Sequence, residues 1–216
     1  MKCPLQSTSP ASGSGDPVCP VRRTLASAGL ALFIVLVVCV TPRPLAAVVD
    51  QRSAAATSLA PYVASPPDVV DRMLTLAKVG PGDVVYDLGC GDGRIVIAAA
   101  QKFGARGVGV DIDPRLINLA EENAKAAGVT NRVKFLIEDA MKVDVSDATV
   151  VTLYLLSASN VKLRPLLTKQ LRRGTRIVSH SFAIGDWEPD VVDSFRDAAG
   201  TGRTLYLWNF DGQYRP

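Results

Sequence analysis

Apolar positions along residues 61–216 follow two patterns that alternate along the chain. Short continuous apolar runs are typical of strands buried on both faces of a parallel sheet, whereas stretches with one apolar face are typical of the helices that cover it. The runs predict five strands, at 83–88, 107–110, 133–137, 150–155 and 176–179.

Capping residues predict where the intervening helices begin. Ser65 before two prolines is a typical helix N-cap, and Asp113 before Pro114 is another. A helix also follows the glycine-rich residues 89–93, and the last one is predicted over 161–171 with Pro165 near its start.

The end of the chain has a different pattern. Two apolar stretches, 191–195 and 204–210, are separated by a short glycine-containing turn and no helix. They predict a C-terminal antiparallel strand pair at the sheet edge. We therefore expect a Rossmann-like, doubly wound α/β fold with a mostly parallel seven-stranded sheet.

The first 60 residues lie outside this alternation. Residues 1–24 are rich in Ser, Pro and Gly and are predicted to be a disordered N-terminal region. Residues 25–40 are an apolar segment without a polar face, which predicts a signal sequence or membrane anchor. Residues 41–60 are predicted to be a linker, and 61–216 one folded domain. We expect a membrane-anchored or exported protein, and arginines on both sides of the apolar segment leave its orientation open.

Charge narrows the classes of partner. The first 60 residues carry five Lys or Arg and two Asp, which accounts for the whole net charge of +3. A neutral domain lacks the overall basic character of nucleic-acid-binding proteins, so a nucleic acid partner is not expected. The domain has one cysteine, Cys90, and one histidine, His180, so neither an internal disulfide nor a metal site is expected.

Acidic residues end three of the predicted strands. Asp87 comes two residues before the first glycine of Gly89-x-Gly91-x-Gly93, Asp111 ends the second strand, and Asp139 follows the third. Because the carboxyl ends of parallel strands meet at one edge of a sheet, these side chains are expected to line one ligand crevice. The alternative is that they only cap helices, as Asp113 does.

Negative charge at this edge discriminates between nucleotide ligands. Two unit charges about 4 Å apart interact by about 4 kcal/mol at an effective dielectric near 20, so a pyrophosphate would be repelled. S-adenosylmethionine instead brings an ammonium, a sulfonium and two ribose hydroxyls. We predict that the glycines allow close backbone approach, that Asp87 accepts from the amino group, that Asp111 binds the ribose and that Asp139 binds adenine.

These residues also carry a family resemblance. The segments DLGCGDG, GVDID and EDA resemble motifs of the class I S-adenosylmethionine-dependent methyltransferases, over roughly residues 68–210. The segments PYV, VTLYLL and RIVSHSF are similar to bacterial and mitochondrial protein-lysine methyltransferases, a family that includes the enzyme acting on the ATP synthase c-subunit. The resemblance implies that Tyr62 and Ala140 lie near the cofactor and that the acceptor is a lysine of a membrane-associated protein.

Candidates for the acceptor pocket follow the fourth and fifth strands. Tyr154 is a candidate to orient an amine, beside Thr152, although an aromatic residue there also suits the core. His180 is either a pocket residue or a structural one, and Trp187 either forms the lip of the pocket or packs under the terminal hairpin. The fourth strand lacks the Asn/Asp-Pro-Pro-aromatic motif that holds a planar nitrogen, which disfavours adenine or glutamine as acceptor.

Other interpretations remain open from the sequence. A basic set near the fifth strand is either a solvated helix face or a contact for lipid or RNA; its members are Lys162, Arg164, Lys169, Arg172, Arg173 and Arg176. A small-molecule or RNA methyltransferase shares the cofactor residues. A nicotinamide-dependent oxidoreductase and a non-catalytic binding module are the remaining alternatives.

Overall fold

A computed structural model describes residues 62–214. The predicted N-terminal disorder, the apolar segment at 25–40 and the linker at 41–60 lie outside these residues. Within 62–214, no helix has both the length and the apolar character needed to cross a membrane.

The elements alternate as the hydrophobic pattern predicts. In chain order they are α1 (Pro67–Leu76), β1 (Val84–Leu88), α2 (Arg94–Phe103), β2 (Arg106–Asp111), α3 (Pro114–Ala126), β3 (Val133–Ile137), β4 (Val150–Leu153), α4 (Ser157–Gln170), β5 (Arg176–His180), β6 (Val191–Arg196) and β7 (Gly202–Asn209).

The described strands form one seven-stranded sheet in the order β3-β2-β1-β4-β5-β7-β6. The five strands β3, β2, β1, β4 and β5 are parallel to their neighbours in the sheet. Strand β7 is antiparallel to both β5 and β6. The fold class predicted from the sequence, including the C-terminal antiparallel pair, is confirmed. The strand order reverses beside β1, and in open α/β sheets this is where ligands bind.

Two helix starts differ from the prediction. Helix α4 begins at Ser157, four residues early, so Pro165 lies inside it rather than near its start. Its N-cap residue is Leu156, whose side chain cannot cap, so the sequence carries no start signal there. Ser65 does not cap α1: the N-cap position belongs to Pro66, and the Ser65 hydroxyl bonds to a distant histidine instead.

The core lies on both faces of the sheet, and strand alternation decides which side chains enter each half. Val85 of β1 and Val178 of β5 pack with α1 and α2 on one face. Leu153 of β4 and Ile177 of β5 pack with α4 on the other. Because side chains alternate along a strand, Asp87 points to the same face as Val85, the face of α1 and α2.

Candidate active site

The glycine loop, residues 89–93, connects β1 to α2. Its three glycines have φ values of 87°, 53° and 77°, in the left-handed region that side chains disfavour. A Cβ atom on Gly89 would lie 2.9 Å from Leu155, and one on Gly91 would lie 2.4 Å from the Tyr62 ring. The loop backbone therefore touches the segment after β4 on one side and the Tyr62 ring on the other.

Asp111 holds the glycine loop from the end of β2. One carboxylate oxygen accepts a hydrogen bond from the Gly91 amide at 2.9 Å, and the other accepts from the Asp113 amide at 3.0 Å. Asp113 itself caps α3, accepting from the Arg115 amide as predicted. Asp111 is thus fixed in orientation at the sheet edge and remains partly exposed.

Asp87 is a buried carboxyl group without a cationic partner. Its side chain is only 2% exposed, and its hydrogen-bond donor is the Thr152 hydroxyl, at 2.8 Å. No Lys or Arg of residues 62–214 forms an ion pair with it. Burial, reinforced by the charges of Asp111 and Asp92, raises the pKa of Asp87 to about 7. This environment favours a positively charged ligand at Asp87.

Asp92, by contrast, already has a counterion. Arg94 donates to its carboxylate from Nε at 2.9 Å and from Nη2 at 2.6 Å. Burial by itself would raise the pKa of Asp92, but the hydrogen bonds from Arg94 hold this pKa below its usual value. Asp92 therefore adds little net negative charge to the crevice, although it lies in the glycine loop.

The residues that follow β3 contribute a carboxylate, that of Asp139, to the crevice. Asp139 lies just beyond β3, where its carboxylate accepts from the Met141 amide at 2.9 Å. The Glu138 amide donates to the Asp111 carbonyl at 3.0 Å, which joins the ends of β2 and β3. Ala140 is buried against the core. Asp139 and Ala140 thus follow the strand that neighbours β2, at the edge where an adenine site is predicted.

An aromatic wall, which we define as Tyr154 and His180, lies beside this crevice. The two rings stack with their centroids 4.0 Å apart and their planes 27° apart, and Phe182 lies 6.3 Å from the Tyr154 ring. Tyr154 directly follows β4, two residues beyond Thr152, so it continues the strand face that carries Thr152 and Asp87.

His180 is fully buried. Its Nδ1 lies 3.0 Å from the Ser65 hydroxyl, and its Nε2 has no hydrogen-bond partner among the described residues. Burial, with the nearby Arg203, lowers the pKa of His180 to about 4, so the imidazole is neutral near pH 7. Residues 62–214 contain no cluster of His, Cys, Asp or Glu that could hold a metal ion.

Trp187 lies away from the crevice. Its side chain is 2% exposed and packs against Trp208, Phe210 and Tyr214, and its carbonyl accepts from the Trp208 indole at 3.0 Å. It belongs to the core on the α4 face, opposite the face of Asp87. Of the two positions predicted for Trp187, the structure shows the one packed under the terminal hairpin and not the one at the lip of the pocket, because the turn after β5 folds onto that opposite face.

Three contributing residues were missed from the sequence: Ser65, Arg94 and Asn160. Asn160, fully buried in α4, donates from Nδ2 to the Phe182 and Ala183 carbonyls at 3.1 and 3.4 Å and so holds the loop after β5. Because the predicted helix began at residue 161, the sequence did not place Asn160 at a buried helix position. The Ser65–His180 contact joins positions 115 residues apart and had no signal in the sequence.

The residues at these strand ends fit S-adenosylmethionine. Asp87 offers a buried negative charge for a cation, Asp111 offers oriented carboxylate oxygens for hydroxyl groups, and the glycine loop leaves room at its surface because Gly89 is exposed and has no Cβ. The fold and this site define a class I S-adenosylmethionine-dependent methyltransferase.

Comparison with known proteins identifies the family within that class. Residues 87–191 match the family described as the ANTKMT methyltransferase domain. A protein-lysine N-methyltransferase of Saccharolobus islandicus is 47% identical over 149 residues, which are 68% of this chain and 92% of that protein. The chain belongs to this methyltransferase family.

Two further relatives differ in their named substrates. The crystal structure of an RNA methyltransferase from Salinibacter ruber in complex with S-adenosyl-L-homocysteine is 52% identical, with a TM-score of 0.66, and the match covers 71% of this chain and 97% of that one. The adenine nucleotide translocase lysine N-methyltransferase of Mus musculus is 34% identical, over 70% of this chain and 62% of the mouse protein.

Proposed function

We propose that the protein methylates the ε-amino group of lysine in a protein substrate. The observation that carries the proposal is the uncharged aromatic wall beside Asp87, because an aromatic face attracts an ammonium group and can align an amine. The relative from Saccharolobus islandicus, which is 47% identical over 149 residues, is named a protein-lysine N-methyltransferase, which supports the same acceptor.

The chain's own residues have distinct tasks in this proposal. S-adenosylmethionine, when bound, supplies the methyl group and leaves as S-adenosylhomocysteine. Asp87 and Asp111 bind it, and the glycine loop brings its backbone close to it. Tyr154 orients the acceptor, and the neutral His180 stacks on the Tyr154 ring and holds it in place. The acceptor amine loses its proton to water before it reacts, so alignment and exclusion of water are the main contributions of the protein.

The identity of the labelled residue tests the proposed acceptor. The full-length chain is incubated with methyl-labelled S-adenosylmethionine and a cell extract, and the macromolecules are then separated into protein and RNA. We expect the label in protein and, after acid hydrolysis, in methylated lysine. Asp87→Asn serves as the inactive control. Label that is removed by ribonuclease would contradict the proposal and favour RNA.

RNA methylation is the second candidate, since the Salinibacter relative is titled an RNA methyltransferase. The basic set predicted between residues 162 and 176 gives only limited support to an RNA substrate. Arg176 pairs with Asp83 and donates to the Ala77 carbonyl at 2.7 Å, while Arg164 pairs with Asp186 at 2.5 Å and lies over the Tyr214 ring. Two of its six cations are therefore committed within the fold, which favours the lysine acceptor.

We also propose that the apolar segment at 25–40 attaches the protein to a membrane. The support is its continuous apolar character, with arginines at 22, 23 and 43 outside it. After carbonate extraction of membranes, the full-length chain is expected in the pellet, and a variant that lacks residues 1–45 in the supernatant. Equal distribution of both would overturn the anchor.

A further inference from the structure

The segment before α1 reaches both parts of the active site. Ser65 is 3% exposed, and its hydroxyl lies 3.0 Å from Nδ1 of His180, one of the two residues of the aromatic wall. Its carbonyl accepts a hydrogen bond from Arg94 Nη1 at 2.8 Å, at the start of α2 next to the glycine loop. One residue is thus bonded to the acceptor side by its side chain and to the cofactor side by its backbone.

Among residues 62–214, the Ser65 hydroxyl is the one hydrogen-bond partner of the His180 ring. Since Nε2 has no partner among residues 62–214, the removal of the Ser65 hydroxyl would leave the buried imidazole with no hydrogen bond to a described residue. Buried polar groups without partners are unfavourable, and the ring would move or admit water. Tyr154 stacks on that ring at 4.0 Å, so a displaced His180 displaces the Tyr154 ring as well.

The backbone bond connects the same residue to the glycine loop. Arg94 is held by Asp92, which is itself in the loop, and the Tyr62 ring three residues before Ser65 packs on Gly91. The loop and the segment 62–65 are therefore in contact at two points. A substitution of the Ser65 side chain leaves both of these contacts in place.

We propose that Ser65 is a positioning residue for methyl transfer: it fixes His180, and through His180 the Tyr154 ring, in register with the glycine loop. It acts through other residues and touches neither reactant. The inference rests on the proposed role of Tyr154 at the acceptor, but not on whether that acceptor is lysine.

Ser65→Ala separates positioning from cofactor binding. In the full-length chain, we expect kcat for S-adenosylhomocysteine formation with a cell extract as acceptor to fall about tenfold, because alignment of the acceptor is lost. The Kd of S-adenosylmethionine should change less than about twofold, since the backbone bond to Arg94 remains. Ser65→Thr keeps a hydroxyl and should restore kcat. Thr75→Ala, an exposed hydroxyl deletion on α1, is the matched control and should leave kcat unchanged.

A spectroscopic readout tests the hydrogen bond itself. His180 is the only histidine of the chain, so in a tag-free protein with ¹⁵N-labelled histidine every imidazole signal belongs to it. We expect the Nδ1 resonance to shift in Ser65→Ala and to stay near the wild-type position in Ser65→Thr and Thr75→Ala. Comparison at equal folded fraction, from thermal melts, removes any effect of simple destabilisation.

Tyr154→Ala distinguishes a failure of the positioning role of Ser65 from a failure of the proposed function. If Tyr154→Ala loses activity while Ser65→Ala keeps the wild-type kcat, the positioning role of Ser65 is overturned and the proposed function stands. If Tyr154→Ala itself keeps full activity, both the acceptor wall and the role of Ser65 are overturned. A Ser65→Ala protein whose lower kcat is explained entirely by its lower folded fraction also overturns the inference.

Discussion

Asp87→Asn is expected to stabilise the ligand-free protein and, at the same time, to weaken S-adenosylmethionine binding by about 100-fold. The native carboxylate is buried with Thr152 as its donor and with no counterion in the described part of the chain, so its ionisation is unfavourable until a cation binds. An amide of the same shape avoids that cost but offers no charge to the cofactor. Calorimetric titration and urea denaturation at neutral pH measure the two effects.

The sign of the pH dependence follows from the raised pKa. Between about pH 4 and pH 7 the unfolded chain loses the Asp87 proton while the folded chain keeps it, so the free energy of unfolding decreases as pH rises through this range. Above about pH 7 the free energy of unfolding decreases no further, and its total decrease is roughly 4 kcal/mol at most. Asp87→Asn should remove this slope.

Cofactor affinity should change in the opposite direction with pH. The ammonium or sulfonium of S-adenosylmethionine favours the ionised carboxylate, which is the minor form below the pKa of about 7. The Kd should therefore increase by up to about tenfold for each pH unit below 7 and level off above it. In Asp87→Asn the Kd should be weak and independent of pH across the same range.

Asp83, at the start of β1, provides a matched control. Its carboxylate accepts from the Thr149 hydroxyl at 2.7 Å and from the Gly80 amide at 2.8 Å, and it pairs with Arg176. Burial alone would raise the pKa of Asp83, but these three partners, Thr149 first, keep it below its usual value. Asp83→Asn should destabilise the protein and leave cofactor affinity unchanged. A destabilised Asp87→Asn protein that still binds S-adenosylmethionine with wild-type affinity would refute the assignment of Asp87.

Asp111→Ala should produce the other large loss of cofactor affinity, also about 100-fold, because hydrogen bonds to a charged group contribute about 1.5–3 kcal/mol each. The substitution removes the acceptor of the Gly91 and Asp113 amides and, in the predicted complex, that of the ribose hydroxyls. Titration with S-adenosylmethionine and with S-adenosylhomocysteine should show similar losses, since both contain the ribose.

Asp113→Ala distinguishes this local role from a general effect of charge. Asp113 lies two residues away and caps α3, so its removal should cost about 1 kcal/mol of stability. Cofactor affinity should change only about twofold, because its carboxylate is bonded to Arg115 rather than to the glycine loop. If both variants lose affinity equally, Asp111 has no specific part in ribose binding.

The fold could be predicted from the sequence because the patterns that specify its strands and helices lie among residues close together in the chain. Apolar runs, glycines and helix breakers recur at the spacing of strand and helix, and they placed every strand of the described domain within about two residues. The ends of β1, β2 and β3 were equally accessible, since parallel strands necessarily bring their carboxyl ends to one edge. The sequence alone therefore groups Asp87, Asp111 and Asp139 in one crevice.

Other features depend on which distant groups meet. Asp92 has its charge balanced by Arg94, and Trp187 enters the core on the sheet face opposite Asp87; the sequence allowed either outcome for both. Ser65 has the sequence pattern of a helix cap, yet its hydroxyl bonds to His180, because the chain before α1 contacts the last residue of β5. The local sequence pattern by itself determined the order of strands and helices and the acidic residues at the strand ends. The hydrogen-bond partners of individual polar side chains were decided only by the tertiary structure, because each of these groups has several chemically equivalent partners and packing brings only one of them into reach.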